Sequence, residues 1–94
     1  AYVYMFIEAL ADGGVLEGIS RDKAYEIISQ TILGSAKIVL ETKKHPGQLK
    51  DEVTSPGGTT IEAVKVLENG NFRGTIIEAV RACTEKSKKM AGEK

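Results

Sequence analysis

The chain has 94 residues, enough for one small domain with a modest hydrophobic core. Its 13 basic and 13 acidic residues are interspersed and give no net charge, so the basic surface typical of nucleic-acid binding is not expected. No apolar run reaches the roughly 18 residues of a membrane helix, and the single cysteine excludes an internal disulfide. We therefore expect a cytoplasmic protein with neither a nucleic-acid nor a membrane partner.

The first predicted element is a helix from Tyr2 to about Gly18. Its apolar residues recur at three- to four-residue spacing and also occupy much of the remaining circumference. A helix that is apolar on nearly every side needs other elements around it. Gly13 and Gly14 would let another backbone come close, and Gly18 followed by Ser20 predicts a helix stop and the N-cap of the next helix.

The second predicted helix runs from Arg21 to Thr42, a length of about 30 Å, and carries two apolar stripes. One stripe comprises Ala24, Ile27, Ile28, Thr31, Ser35, Ile38 and Val39, and the other comprises Ile32, Leu33, Ala36 and Leu40. The rest of so short a chain can hardly cover both faces of such a helix. We therefore predict an intertwined homodimer, with packing inside one protomer as the alternative.

A short third helix is predicted from Pro46 to about Val53, because proline suits the first helical position. His45, the only histidine, precedes it and has no cysteine or second histidine nearby. A surface or capping role is therefore favoured over a site role for His45. The chain shows no metal-ligand spacing, so no metal site is predicted.

The stretch from Val53 to Glu62 combines a proline, two adjacent glycines and several hydroxyls. Pro56 favours an extended residue before it, so an arriving helix should stop there. Thr59 is a suitable N-cap for the following helix, and Glu62, three residues later, would complete a capping box. The pattern predicts a tight loop that leads directly into a helix N-terminus.

Such a loop has a chemical consequence. The first amides of a helix have no intrahelical partner, and the helix dipole makes this end electropositive. Gly57 and Gly58 would let amides converge on an anion, and the hydroxyls of Thr59 and Thr60 can add hydrogen bonds. A small carboxylate or phosphate would suit the loop, while the alternative is a loop that only starts a helix. No lysine follows the glycines, which argues against a nucleoside triphosphate.

Two further helices are predicted, from Thr59 to about Glu68 and from about Phe72 to Ala91. Gly70 should end the first in a left-handed conformation, and Asn71 should cap the second. Cys83 falls on the apolar stripe of the last helix and is expected to be buried, and residues 92–94 are expected to fray. With no useful alternation of period two, the fold class is all-α, with about five helices.

Four segments, taken together and in this order, closely resemble the C-terminal domain of pyrroline-5-carboxylate reductases. The segments are Glu8–Val15 (EALADGGV), Gln30–Lys37 (QTILGSAK), His45–Asp51 (HPGQLKD) and Val53–Ile61 (VTSPGGTTI). The resemblance extends to about Lys88, and the Ser-Pro-Gly-Gly-Thr-Thr stretch is the signature of the family. It implies an all-helical, interlocked dimer whose pairs can assemble into rings.

The resemblance also implies an enzyme that reduces 1-pyrroline-5-carboxylate to L-proline with NADPH or NADH. Residues 1–94 would form its C-terminal dimerisation and substrate-binding domain, preceded in the family by a Rossmann domain. No Gly-x-Gly-x-x-Gly segment occurs in the chain. The chain alone is therefore expected to be inactive.

Site residues follow from the resemblance by position. Ser55, Gly58, Thr59 and Thr60 would bind the substrate carboxylate, and the Thr60 hydroxyl would lie near the ring nitrogen as the catalytic group. Glu52 and Val53 would border the cofactor. Glu52 departs from the amide or other polar residue that can occupy its position, which weakens its assignment.

Two other functions fit the residues. The chain could be a stand-alone helical dimerisation module whose central loop only starts a helix. It could also be the dimer domain of a different Rossmann-type reductase, because such enzymes often append an all-helical domain.

Overall fold

A computed structural model describes residues 1–92 and contains five helices. They are α1 (Tyr2–Leu16), α2 (Arg21–Thr42), α3 (Pro46–Glu52), α4 (Thr59–Asn69) and α5 (Phe72–Met90). No strand occurs in the described part of the chain, so the all-α prediction is confirmed. The expected fraying of Glu93 and Lys94 lies outside the described residues.

The chain divides into two compact units, one comprising Ala1–Leu49 and the other beginning at Lys50. The first unit is built mainly on the packing of α1 against α2, and the second on the packing of α4 against α5. A single dimerisation and substrate-binding domain stays a prediction.

The turn between α1 and α2 ends the first helix as its glycine predicted. Gly18 has φ +104°, a left-handed value that glycine adopts without steric cost. The amide of Gly18 donates to the carbonyl of Val15 at 3.0 Å, and the amide of Ile19 donates to Gly14 at 2.9 Å. These two bonds are those of a Schellman motif. Ser20 follows in an extended conformation at the N-cap position of α2, although its side chain makes no capping hydrogen bond.

Small residues let α1 and α2 approach closely. Ala11 and Ala24 are the buried apolar residues of the described chain, at 0% and 2% exposure. A β-carbon placed on Gly14 would lie 3.6 Å from the β-carbon of Ala24, which is ordinary contact, whereas one on Gly13 would meet nothing within 4 Å. The close approach predicted for the glycine pair therefore involves Gly14 alone.

An ion pair joins α1 and α2 near the turn that connects them. The guanidinium of Arg21 donates to the carboxylate of Asp12 and lies 5.8 Å from the centre of the Tyr25 ring. The hydrogen bond to Asp12 raises the pKa of Arg21 above its ordinary value. Both side chains are about half exposed, so the pair orients the helices and contributes little to stability.

The link between α4 and α5 differs from its prediction. Gly70 has φ −85°, and the left-handed residue is Asn71, with φ 60°. Asparagine tolerates this conformation better than most side chains do. Its side chain lies over Gly74, where an added β-carbon would be 2.5 Å from the Asn71 Oδ1. Asn71 occupies the N-cap position of α5, as predicted, but without a side-chain capping bond.

Lys43 ends α2 in a left-handed conformation, with φ 58° and ψ 18°. A residue with a β-carbon pays a steric cost there that glycine does not. We expect Lys43→Gly to raise the free energy of unfolding by about 0.5–1 kcal/mol. Urea unfolding at one fixed protein concentration measures the change. Lys44→Gly is the control, because Lys44 is not among the residues with positive φ and glycine there should give no gain.

Most large apolar side chains remain on the surface of the described chain. On α2, Leu33 and Leu40 are 62% and 75% exposed, and α1 and α5 also carry exposed apolar residues. Cys83 is exposed as well, so the prediction that it is buried is wrong for the single chain. The physical reason is that nothing within the described residues covers this side of α5.

Candidate functional site

The candidate site is the segment between α3 and α4, and it begins at the last turn of α3. The amide of Val53 donates to the carbonyl of Lys50, and the amide of Thr54 to that of Asp51, both at 3.2 Å. The Thr54 hydroxyl donates to the Lys50 carbonyl at 2.9 Å. These bonds attach the start of the loop to the end of the helix.

The next four residues, Ser55–Gly58, form a β-turn. The amide of Gly58 donates to the carbonyl of Ser55 at 3.1 Å, and Gly57, the third residue, has φ +69°. Proline at the second position and a positive φ at the third define a type II turn. Gly57 is needed here for its backbone conformation.

Gly58 is needed for a different reason, which is space. An added β-carbon would lie 2.7 Å from the Ser55 hydroxyl oxygen and 3.2 Å from the Ser55 carbonyl oxygen. The absent side chain lets the Ser55 hydroxyl lie against the backbone at the start of α4. The turn therefore brings Ser55 to the N-terminus of this helix.

The N-cap of α4 is one residue earlier than predicted. Gly58 is the N-cap, with φ −82° and ψ 179°, and Thr59 is already the first helical residue. Glu62 is consequently the fourth helical residue, so the predicted capping box of Thr59 and Glu62 is wrong. The physical reason is that the type II turn already places Gly58 in the extended conformation that an N-cap adopts.

This arrangement leaves a set of donors at the loop. Within residues 1–92, the amides of Thr59, Thr60 and Ile61 donate to no protein acceptor. Since Gly58 has no side chain, no cap competes for them, and the helix dipole makes this end electropositive. The amide of Gly58 already donates to the carbonyl of Ser55, so the two glycine amides do not converge on an anion as predicted. The available donors are instead the amides in the first turn of α4.

The predicted substrate-binding residues thus occupy one continuous turn. Ser55, Thr59 and Thr60 are exposed and Gly58 is half-buried, so all four can be reached from solvent. Glu52 ends α3, and the exposed Val53 follows it at the entrance to the loop. Chemically, this surface can hold a small anion by backbone amides and orient it by two threonine hydroxyls and one serine hydroxyl.

His45 has a structural role that agrees with its prediction. Its Nδ1 accepts a hydrogen bond from the amide of Gly47 at 2.9 Å and so caps the first turn of α3. An added β-carbon on Gly47 would be only 3.0 Å from that nitrogen, so the glycine makes room for the ring. Among residues 1–92, no cluster of histidine, cysteine, aspartate and glutamate is suited to a metal ion.

Sequence inspection missed the role of Thr54. Thr54 lies in the loop between Val53 and Glu62, and the sequence pattern predicts no partner for its hydroxyl. A threonine just after the end of a short helix was the available signal, because such hydroxyls commonly bond to carbonyls three or four residues back.

No helix among the described residues has the length and hydropathy needed to cross a bilayer.

Comparison with known proteins identifies the relatives of the chain. The model of the family described as pyrroline-5-carboxylate reductase dimerisation matches residues 1–90. The pyrroline-5-carboxylate reductase of Escherichia coli (strain K12) is 60% identical over 91 residues, which cover 97% of this chain and 34% of the relative. The enzyme of the same name from Glycine max is 58% identical, with 97% and 33% covered.

Solved structures give the same result. A Plasmodium falciparum pyrroline carboxylate reductase with NADP bound superimposes with a TM-score of 0.91 at 45% identity, covering 95% of this chain and 34% of that one. A pyrroline-5-carboxylate reductase from Coxiella burnetii also gives a TM-score of 0.91, at 40% identity, covering 99% and 34%. The chain therefore spans about a third of the length of the relatives it matches.

Proposed function

The chain belongs to the pyrroline-5-carboxylate reductase dimerisation family, and from that premise we propose that it is the dimerisation and substrate-binding part of such a reductase. The complete enzyme would reduce 1-pyrroline-5-carboxylate to L-proline in proline biosynthesis, with NADPH or NADH as the reductant. The nucleotide would be bound mainly by a Rossmann domain elsewhere in that enzyme. Residues 1–94 by themselves would then have no reductase activity.

The observation that carries the proposal is the row of available amides on Thr59, Thr60 and Ile61. The substrate is a small cyclic imine with one carboxylate. Backbone amides at a helix N-terminus match a carboxylate in charge and hydrogen-bonding geometry. Ser55, held over Gly58, would add its hydroxyl from the other side of the turn.

Binding the carboxylate fixes the orientation of the ring. The hydride that reduces the carbon–nitrogen double bond would come from the nicotinamide. The Thr60 hydroxyl would donate a hydrogen bond toward the ring nitrogen as that nitrogen becomes an amine. Thr60 would therefore be the catalytic residue of this chain, and the carboxylate contacts would hold the imine in place for the reaction.

Of the two residues at the start of the loop, Val53 suits contact with a pyridine nucleotide and Glu52 does not. Val53 is 69% exposed directly before the turn and offers an apolar surface that a nicotinamide ring could contact. Glu52 carries a negative charge, which does not suit the phosphates of a nucleotide. We assign Val53 to the border of the cofactor and give Glu52, its neighbour, a weaker role there.

A second copy of the chain is the proposed partner. The two apolar stripes of α2 and the apolar surface of α1 have few covering residues in the single chain. An open groove of about 420 Å³ in the first unit is lined by Tyr4, Met5, Ile7, Glu8, Tyr25 and Ser29. Exposed apolar area of this kind marks an interface. We propose an intertwined homodimer whose pairs can assemble further into rings in the complete enzyme.

Binding of L-proline, the product, tests the proposal on the chain itself. We expect millimolar L-proline to shift the amide resonances of residues 57–61 in an isotope-labelled sample, because its carboxylate would bind the first turn of α4. L-Prolinamide is the matched control, since it has the same ring without the carboxylate charge. Absence of shifts in this stretch, or equal shifts with both ligands, would contradict a carboxylate site.

A further inference from the structure

Thr54 joins α3 to the turn and is attached to the helix more firmly than its neighbours. It is half-buried, whereas Val53 and Ser55 on either side are exposed. Its hydroxyl lies 2.9 Å from the carbonyl oxygen of Lys50 and 3.2 Å from that of Asp51. Its amide donates to Asp51 as well, at 3.2 Å.

These contacts add to bonds that the backbone already makes, because the Lys50 carbonyl accepts from the amide of Val53 and the Asp51 carbonyl from the amide of Thr54. Carbonyls in the last turn of a helix have no intrahelical donor. The single hydroxyl proton of Thr54 is shared between two of them, with the shorter contact to Lys50. The side chain therefore adds a second attachment to the one that the backbone amide makes.

The path from Thr54 to the anion-binding amides is short and restricted. Pro56 has a fixed φ and limits the conformation of Ser55. The hydrogen bond from Gly58 to Ser55 closes the turn, and α4 starts at the next residue. Few soft dihedral angles remain, so the position of Thr54 is transmitted to Ser55 and to the start of α4.

We infer that Thr54 is a positioning residue for the substrate carboxylate, acting through the turn rather than by contact with the ligand. Its hydroxyl holds the loop against the end of α3, so that Ser55 and the first amides of α4 are ordered before the ligand arrives. The inference rests on the proposed function, because it assigns a role within that site. Ordering a loop in advance improves binding by lowering the entropy lost when the ligand binds.

Replacement of Thr54 by valine removes the hydroxyl while nearly preserving the shape of the side chain. In the full-length reductase we expect Thr54→Val to raise the KM for pyrroline-5-carboxylate by about 3- to 10-fold, the effect of one lost hydrogen bond. The kcat should change less than about 2-fold, since Thr60 is untouched. Thr54→Ser keeps the hydroxyl and should restore the KM.

Thr42→Val is the matched control. The Thr42 hydroxyl makes the same type of bond, to the carbonyl of Ile38 at 2.7 Å, at the end of α2. Its loss should leave the KM unchanged, because Thr42 does not lead into the turn. An unchanged KM in Thr54→Val, or a Thr54→Ser variant as impaired as the valine variant, would overturn the inference.

Amide hydrogen exchange separates this inference from the proposed function. In the chain alone, without substrate, Thr54→Val should speed exchange of the Gly58 amide by about 3-fold or more, while Thr54→Ser should not. If the wild-type enzyme fails to reduce pyrroline-5-carboxylate, the proposed function is wrong. The exchange rate of the Gly58 amide still tests whether the Thr54 hydroxyl orders the turn. Unchanged exchange in the valine variant would overturn that role.

Discussion

Thr60→Ala in the full-length reductase is expected to lower kcat by about 100-fold while leaving the dimer intact. Donation of a hydrogen bond or proton in a transition state typically contributes a factor of this size or more. Thr60 is the second residue of α4, its side chain is exposed, and its hydroxyl makes no hydrogen bond within residues 1–92. Its removal should therefore cost little folding free energy.

Steady-state kinetics and sedimentation measure the two halves of this expectation. The KM should change by less than about 3-fold, because the amide of residue 60 remains available for the carboxylate. Thr60→Ser keeps the hydroxyl and should retain most of the turnover. Near-normal kcat in Thr60→Ala would remove the hydroxyl from the mechanism, although the carboxylate site would survive that result.

The second large effect is expected on self-association. Leu33 lies on an apolar stripe of α2 and is 62% exposed in the single chain. Burial of a leucine contributes about 1.5–3 kcal/mol, and a symmetric dimer would bury two copies. Leu33→Glu would also place a carboxylate in an apolar interface, so the dimer dissociation constant should rise by at least about 100-fold.

Sedimentation equilibrium of the chain measures this change directly. Gln48→Glu adds the same charge at an exposed position of α3, outside both apolar stripes of α2, and should leave the dimer unchanged. A monomeric wild-type chain at high micromolar concentration, or a Leu33→Glu variant that dimerises normally, would contradict the proposed interface.

The helices of this protein were predictable where strong local signals mark their ends. Ser20 before a periodic apolar pattern marked the start of α2 at Arg21, and Pro46 marked the start of α3. Gly18 ended α1 in the expected left-handed conformation. In these cases one residue type satisfies a backbone requirement that others meet poorly.

The ends of α4 were harder, because two adjacent residues could meet the same requirement. Gly58 and Thr59 both suit an N-cap, and the type II turn decided for Gly58. At the other end, Gly70 and Asn71 can both be left-handed, and the structure uses Asn71. Sequence alone does not rank two permissive neighbours, since turn geometry makes the choice.

Two kinds of evidence predicted the site, the local chemistry of the loop and the resemblance to a family. Local chemistry indicated a helix N-terminus able to hold an anion, and the structure adds which amides are available and why Ser55 lies beside them. The identity of the ligand and the role of Thr60 came from the family resemblance. The exposure of Cys83 could not be predicted, because burial in an oligomer leaves the same apolar pattern as burial in one chain.

A crystal structure of the full-length enzyme with L-proline tests the central claim most directly. We expect the carboxylate to accept hydrogen bonds from the amides of Thr59 and Thr60, with the Ser55 hydroxyl beside it and the ring nitrogen facing the Thr60 hydroxyl. A proline bound away from the turn, or bound with its ring nitrogen on the α4 amides, would contradict it.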